Sequence, residues 1–219
     1  VNWGYIGRVA PLFARAAGVT LQLGLLAIAL SIIMGLAAAL ILRYRVPALY
    51  GAVRGYIGLS RNTPLLAQLF FLYFGLPQIG VTLSGFACAV IGLVFLGSSY
   101  MAESFQSGFD SVSVIQRESA ASLGLSAFQS LRFVELPSAV SVAVPSIAAN
   151  AIFLLKETSI CGAIAIPDLV HTANDQIGMY YKTYEALLLL TFAYVALILP
   201  LSFFFSLLER RIRHAEFGI

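Results

Sequence analysis

The chain has 219 residues, 60% of them hydrophobic and 11% charged, with a formal net charge of +3. A soluble domain is roughly half apolar and about a quarter charged, so this composition excludes an ordinary soluble protein and predicts one that lives in a membrane. The Lys and Arg residues are scattered between apolar stretches, which excludes a nucleic-acid footprint, and Cys88 and Cys161 lie inside apolar runs as packing residues, which excludes a disulfide framework or a CxxC metal knuckle.

Residues 1–18 place Trp3, Ile6, Val9, Leu12, Phe13 and Ala16 at near-helical spacing. That is the pattern of an amphipathic helix lying in the outer membrane interface, with a frayed tail as the alternative. The first long apolar segment exceeds a signal-peptide core and is expected to remain in the mature chain. Crossing a bilayer as helix takes about 20 apolar residues, and the stretches that qualify are 19–42, 56–76, 84–105, 146–166 and 184–208, five spans in all.

Basic residues in short loops favour the cytoplasmic side. With the amino terminus outside, Arg43, Arg45, Arg54, Arg117, Arg132, Arg210, Arg211 and Arg213 fall inside, against Arg8, Arg15 and Lys182 outside. The expected orientation is therefore amino terminus out and carboxy terminus in. Arg61 and Lys156 fall within spans and belong to neither side.

The second span carries Asn62, Thr63 and Pro64 in succession. Thr at an N-cap followed by Pro at the first helical position is a start signal. It predicts either an interrupted helix with exposed backbone N–H groups or a simple proline kink. In the third span Cys88, Gly92, Ser99 and Glu103 share one helical face, and Ser146, Asn150, Glu157 and Cys161 do the same in the fourth, with Lys156 turned about 100° away. Both stripes predict surfaces facing inward, toward a neighbouring helix or an aqueous path. Charged groups at the bilayer centre cost about 2.5–3.5 kcal/mol on insertion scales, so Arg61, Glu103, Lys156 and Glu157 each need a partner, water or a task. An Arg61–Glu103 ion pair is the structural reading; Asn150, Glu157, Thr158 and Ser159 are the candidates for a translocation path.

Between the third and fourth spans lies the charged segment 116–137, QRESAASLGLSAFQSLRFVELP. Residues 118–123 suit a helix, Gly124 is a natural terminator, and Ser126 with Gln129 has capping-box spacing. A helix, a Gly turn and a second short helix stopping at Pro137 are expected, with Gln129, Arg132 and Glu135 left free. On spacing alone, a docking element and a plain connecting loop are equally good readings. The loop 167–183 is polar and expected on the outer side, with Tyr180 and Tyr181 at the membrane edge.

No HExxH, zinc spacing or nucleophile elbow occurs, and His171 and His214 are expected on opposite sides of the membrane. No GxxxxGK[ST] phosphate loop occurs either, since Tyr181 stands where the Gly before Lys182-Thr183 is needed. Hydrolysis of ATP, if it drives this protein, belongs to another polypeptide. A secondary transporter driven by an ion gradient and a channel are the other classes weighed; neither an internal repeat nor a filter or charged ring is visible.

Read as Glu118-Ser119-Ala120, then Gly124, then Val134-Glu135-Leu136-Pro137, the polar segment resembles the EAA loop of permease subunits of ABC-type importers, with Ser119 in place of the usual Ala and Val134 in place of Ile. SRNTPLLAQLFFLYFGLP (60–77), SSYMAESFQSG (98–108) and LLKETSI (154–160) are similar to segments of the polar amino-acid permeases, where Gly is commoner than Asn62. The resemblance covers roughly residues 18–212. It implies an all-α, type I importer permease of the bacterial inner membrane, one transmembrane domain over 1–219, with five spans and cytoplasmic coupling helices between the third and fourth. Residues 118–136 would seat in a cleft of an ATPase subunit, with Glu118, Ser119, Ala120, Gly124, Leu136 and Pro137 as coupling residues. Asn62, Thr63, Asn150, Glu157, Thr158 and Ser159 would line the substrate pathway. The implied partners are two copies of an ABC ATPase carrying ATP and Mg, a second permease chain, identical or sister, an extracytoplasmic solute-binding protein, the lipid and an amino-acid substrate. No cofactor is expected on this chain.

Overall fold

A computed structural model describes the backbone of residues 1–217 and side chains through residue 212, so Arg213 and His214 lie outside the described side chains. The secondary structure of the described residues is all helical, with short turns between the helices, in the order α1 (Trp3–Arg43), α2 (Leu49–Arg61), α3 (Leu65–Phe70), α4 (Gly85–Ser111), α5 (Val114–Ser122), α6 (Ala127–Ser130), α7 (Leu136–Glu157), α8 (Leu169–Tyr180) and α9 (Thr183–Phe217). Among them, Trp3–Arg43, Gly85–Ser111, Ala127–Ile164 and Thr183–Ile212 are the 4 helices long and apolar enough to cross a membrane, and Leu65–Ile79 is a shorter apolar helix.

The separate interfacial helix expected over residues 1–18 does not form. Asn2 caps the chain start by accepting from Tyr5 N, and α1 then runs unbroken for 41 residues. At 1.5 Å per residue this is about 60 Å, roughly twice the hydrocarbon thickness. No Gly-turn or paired breaker follows Ala16, so nothing stops the helix. Only part of the apolar stripe packs on protein: Phe13 and Ala16 are buried with Leu169, Ala173 and Ala186 of α8 and α9, while Trp3 and Leu12 are exposed.

The main core is built around α4, which packs on α1 on one side and α7 on the other. Leu23, Leu93, Met101, Phe109 and Leu154 are essentially inaccessible there. Small residues permit the approach, as is usual where lipid gives no hydrophobic drive for helix association. A Cβ on Gly108 would collide with the Ala139 carbonyl of α7, and one on Gly97 with Ser31 of α1.

The span expected over 146–166 starts earlier. Its helix continues from α6 through a π-helical turn, Leu131–Glu135, into α7, passing both Pro137 and Pro145. Pro137 therefore opens α7 instead of stopping a helix. A proline ring clashes with the carbonyl four residues back, and the wider π turn immediately before it relaxes that register. Beyond Glu157 the chain tightens into a 3₁₀ helix, Thr158–Ile164. The polar segment that follows holds α8, capped at its start by Asp168, whose carboxylate accepts from His171 N.

Candidate translocation site

The stretch expected to cross as a second span is broken. α2 ends at Arg61, α3 starts at Leu65, and Pro64 occupies the N-cap. The outcome is interruption, not a kink. Pro64 cannot donate a backbone hydrogen bond and forces Thr63 away from helical backbone angles; Gly58 O still accepts from Asn62 N at 3.3 Å, but the carbonyls after it lack helical partners. Side chains take their place. Asn62 Nδ2 donates to Gly58 O at 2.7 Å, and Thr63 Oγ1 donates to Leu59 O at 2.8 Å. Thr63 thus caps the end of α2, whereas its sequence position reads as a cap for the next helix.

Gln68, on the far side of the break, reaches back with Nε2 to Ser60 O at 3.2 Å, Thr63 O at 3.2 Å and Thr63 Oγ1 at 2.8 Å. The end of α2 is also pinned to α4: Tyr56 Oη and Ser60 Oγ both donate to Phe95 O, at 2.7 and 2.8 Å. Ser60 is fully buried.

Arg61 projects from the break toward α4, where it pairs with Glu103 and lies over the Tyr100 ring, 5.3 Å from its centroid. The pair expected from sequence is present, but each side chain is 40% exposed, so it is a cavity-lining pair and not a buried one. A cavity of about 470 Å³ is lined by Arg61, Asn62, Thr63, Pro64, Leu65, Leu96, Tyr100, Phe153 and Glu157. Arg61, Asn62 and Tyr100 also border a second cavity of about 530 Å³ with Arg54, Glu103 and Gln106. That one shares Leu42, Tyr50 and Gln106 with a third, of about 270 Å³, which reaches Arg43, Arg45 and Asp110. Through these shared residues the three cavities adjoin one another as a polar trough along α2 and α4.

Of the predicted pathway residues, Asn62, Thr63 and Glu157 meet in this trough; Asn150, Thr158 and Ser159 do not. Glu157 ends α7, half-buried, and its carboxylate makes no hydrogen bond or ion pair among the described residues, while Lys156 is exposed beside it and lines none of the three cavities. Asn150 is held by α4, donating to Ser104 Oγ at 2.9 Å, and Ser104 Oγ lies 2.8 Å from Ser146 Oγ. Thr158 is fully buried and its hydroxyl donates to Leu155 O at 2.7 Å, while Ser159 is half-buried. The inward stripes expected on the third and fourth spans are real, but their middle serves helix packing. Tyr100, Phe153 and Gln68 were not singled out from the sequence; nothing in their spacing distinguishes them from core.

A second surface is formed by α5 and α6. Ser113 with Gln116 and Ser126 with Gln129 each form a complete capping box, the second as expected and the first not anticipated. Gly124 has φ +76, with Leu125 N donating to Ala120 O and Gly124 N to Ala121 O, the paired bonds of a Schellman end. Glu118 and Ser119 are exposed beside Ile115, Ser122 and Leu123, which is 80% exposed, whereas Ala120 is buried. Leu136 is half-buried and Pro137 exposed. Glu135, expected to be free, is 7% exposed and ion-paired.

The family of inner-membrane components of binding-protein-dependent transport systems matches this chain over residues 27–214, and the chain belongs to that family. It is a multi-pass inner-membrane protein. Among its relatives, a probable amino-acid ABC transporter permease protein, PatM of Vibrio harveyi, is 31% identical over 92% of this chain and 92% of its own. A probable glutamine ABC transporter permease protein, GlnP of Bacillus subtilis (strain 168), is 38% identical over 71% of this chain and 72% of its own. The crystal structure of an amino acid ABC transporter with histidines contains a chain that superposes with a TM-score of 0.88 at 32% identity, covering 96% of this chain and 99% of that one.

Proposed function

We propose that this chain is the transmembrane permease subunit of an ATP-driven importer of amino acids, working by alternating access as one permease domain over residues 1–219. The observation that carries this reading is the trough in which the helix break sets Arg61, Asn62 and Thr63 across from Glu157. A cavity of about 470 Å³ lies in the range of ligand sites, about 300–1,000 Å³. Its chemistry suits a zwitterion: the Arg61 guanidinium answers an α-carboxylate and the Glu157 carboxylate answers an α-ammonium, while Glu103, the partner of Arg61, borders the adjoining cavity. The ion pair keeps Arg61 from being an uncompensated charge when the site is empty.

In this reading the amino terminus lies outside and the carboxy terminus inside, so the α5–α6 hairpin faces the cytoplasm as the coupling element. Its exposed Glu118, Ser119 and Leu123 would seat in a cleft of an ATPase subunit, two copies of which bind and hydrolyse ATP with Mg. Gly124 and the flanking capping boxes make the hairpin rigid enough to transmit a push. The continuous helix from α6 through Leu136 and Pro137 into α7 is the route by which that push reaches Glu157. A second permease chain completes the pathway, and an extracytoplasmic solute-binding protein delivers substrate. The relatives' printed roles in amino-acid and glutamine transport support the substrate class.

The test is ATPase activity of the lipid-reconstituted assembly, with and without binding protein and individual amino acids. Stimulation by one amino acid supports the reading and names the substrate. Uptake driven by an ion gradient without any associated ATPase would replace it with a secondary transporter.

A further inference from the structure

Gln68 is the residue of α3 whose side chain, among the described residues, hydrogen-bonds the C-terminal turn of α2. Asn62 and Thr63 cap Gly58 O and Leu59 O from within the break itself. Such caps satisfy the carbonyls but leave the angle between the two half-helices unset. Gln68 Nε2, by contrast, joins α3 to Ser60 O and to both oxygens of Thr63. Its orientation is unambiguous, because two of those partners are carbonyl oxygens and can only accept. Ser60 is itself anchored on α4 through Phe95 O. The chain of contacts from α4 to Ser60, to Gln68 and to Thr63 therefore passes straight through the segment that carries Arg61 and Asn62.

Behind Gln68 lies an apolar cavity of about 450 Å³, bordered by Ala67, Phe71, Ile91 and Phe95. The Gln68 Oε1 atom is buried without a partner. An unpaired buried amide oxygen carries a desolvation penalty, so the donor end is what the arrangement retains. With open volume on one side, α3 has room to shift if the donor is lost.

We infer that Gln68 is a positioning residue for the transported amino acid, clasping the broken helix so that Arg61, Asn62 and Thr63 stay at the rim of the cavity facing Glu157. This rests on the reading of that cavity as the substrate site. The clasp acts on binding and not on coupling, because Gln68 lies far along the chain from the α5–α6 hairpin and contacts neither of its helices through any hydrogen bond described.

The test uses the assembled, reconstituted transporter with Gln68→Met, which keeps length and volume but removes the donor, and Gln68→Glu, which keeps shape and an acceptor only. Uptake of L-arginine, L-glutamine and L-glutamate is measured singly for half-saturation and maximal rate. Spin labels at Gly55, whose Cβ direction is open, and at Leu66, which is 39% exposed, report the distance across the break; Cys88 and Cys161 are fully buried and stay unlabelled. The expected result for both variants is a broadened distance distribution and a tenfold or greater rise in half-saturating concentration, with maximal rate and basal ATPase within twofold of the parent. An unchanged distance distribution overturns the clasp. A broadened distribution with unchanged half-saturation overturns the positioning role, and Glu157→Gln then separates the causes: if it too leaves half-saturation unchanged, the cavity is not the substrate site; if it weakens uptake, the site stands and Gln68 does not position it.

Discussion

Arg43, the last residue of α1, donates through Nη2 to Glu135 Oε2 at 2.9 Å, tying the end of the first helix to the π turn that leads from α6 into α7. Glu135 is nearly buried, and Ser130 Oγ lies 3.5 Å from its other oxygen. The base of the α5–α6 hairpin is thus fastened to the body of the bundle by a contact between residues 92 positions apart. Removing either partner strands the other at a site with little water. Glu135→Ala and Arg43→Ala are each expected to destabilise the protein by about 1–3 kcal/mol, and a double-mutant cycle read by thermal unfolding in detergent should give less than the sum.

Gly124 adopts φ +76 with open space around its missing Cβ. The barrier to substitution there is backbone strain of about 1–2 kcal/mol, not a clash. Gly124→Val should therefore leave the chain inserted and folded but distort the hairpin, abolishing substrate-stimulated ATPase activity, while Gly124→Asn, which tolerates this conformation, retains most of it. Normal transport by the Val variant would sink the coupling assignment.

Glu157 lines the cavity of about 470 Å³ together with Arg61 and has no ionic partner among the described residues, whereas Arg61 is paired with Glu103. Glu157→Gln keeps its shape and removes its charge. Half-saturating substrate should rise about tenfold or the preference among amino acids should change, as measured by competition uptake, with the assembly intact on size exclusion.

Asn150 bridges to α4 and stands away from the cavity. Asn150→Ala is expected to lower the unfolding temperature by several degrees, through a lost interhelical bond worth about 1 kcal/mol and the vacated space, while substrate preference is unchanged. A shift in preference without loss of stability would return Asn150 to the pathway.

Asp168 caps α8 through the oxygen that accepts from His171 N at 2.8 Å, while its other oxygen is buried without a partner. Burial pushes its pKa from 3.8 up to about 6, only partly offset by the His171 N–H. The folded state therefore holds a proton that the unfolded chain gives up near 4, so this stabilisation is complete below about pH 4 and is lost as pH rises through about 6. Asp168→Asn preserves the capping oxygen and replaces the buried one by an amide nitrogen. It should flatten the fall in unfolding temperature between pH 4 and 7, followed by thermal scans across that range.

Much of this was legible in the chain. Ser126, Gln129 and Gly124 specify their local geometry through contacts within a few residues, so the turn between α5 and α6 could be read directly. Arg61 and Glu103 could be paired because ionised groups inside spans have few acceptable partners. Glu135 was different: its neighbours in sequence suggest an exposed side chain, and its true partner comes from the end of another helix. Pro137 misled because the π turn that accommodates it has no composition signature.

By itself the sequence determined that the protein is helical and membrane-embedded, which family it resembles, and where its hairpin turns, because hydropathy, capping and positive φ are properties of a residue and its near neighbours. Only the tertiary structure decided that the second apolar stretch is clasped open by Gln68, that Glu157 shares a cavity with Arg61 while Asn150 and Thr158 do not, and that Asp168 is buried. A polar stripe on a helix satisfies its groups equally well against a neighbouring helix or against water, and which of the two it meets depends on how helices distant in sequence pack together.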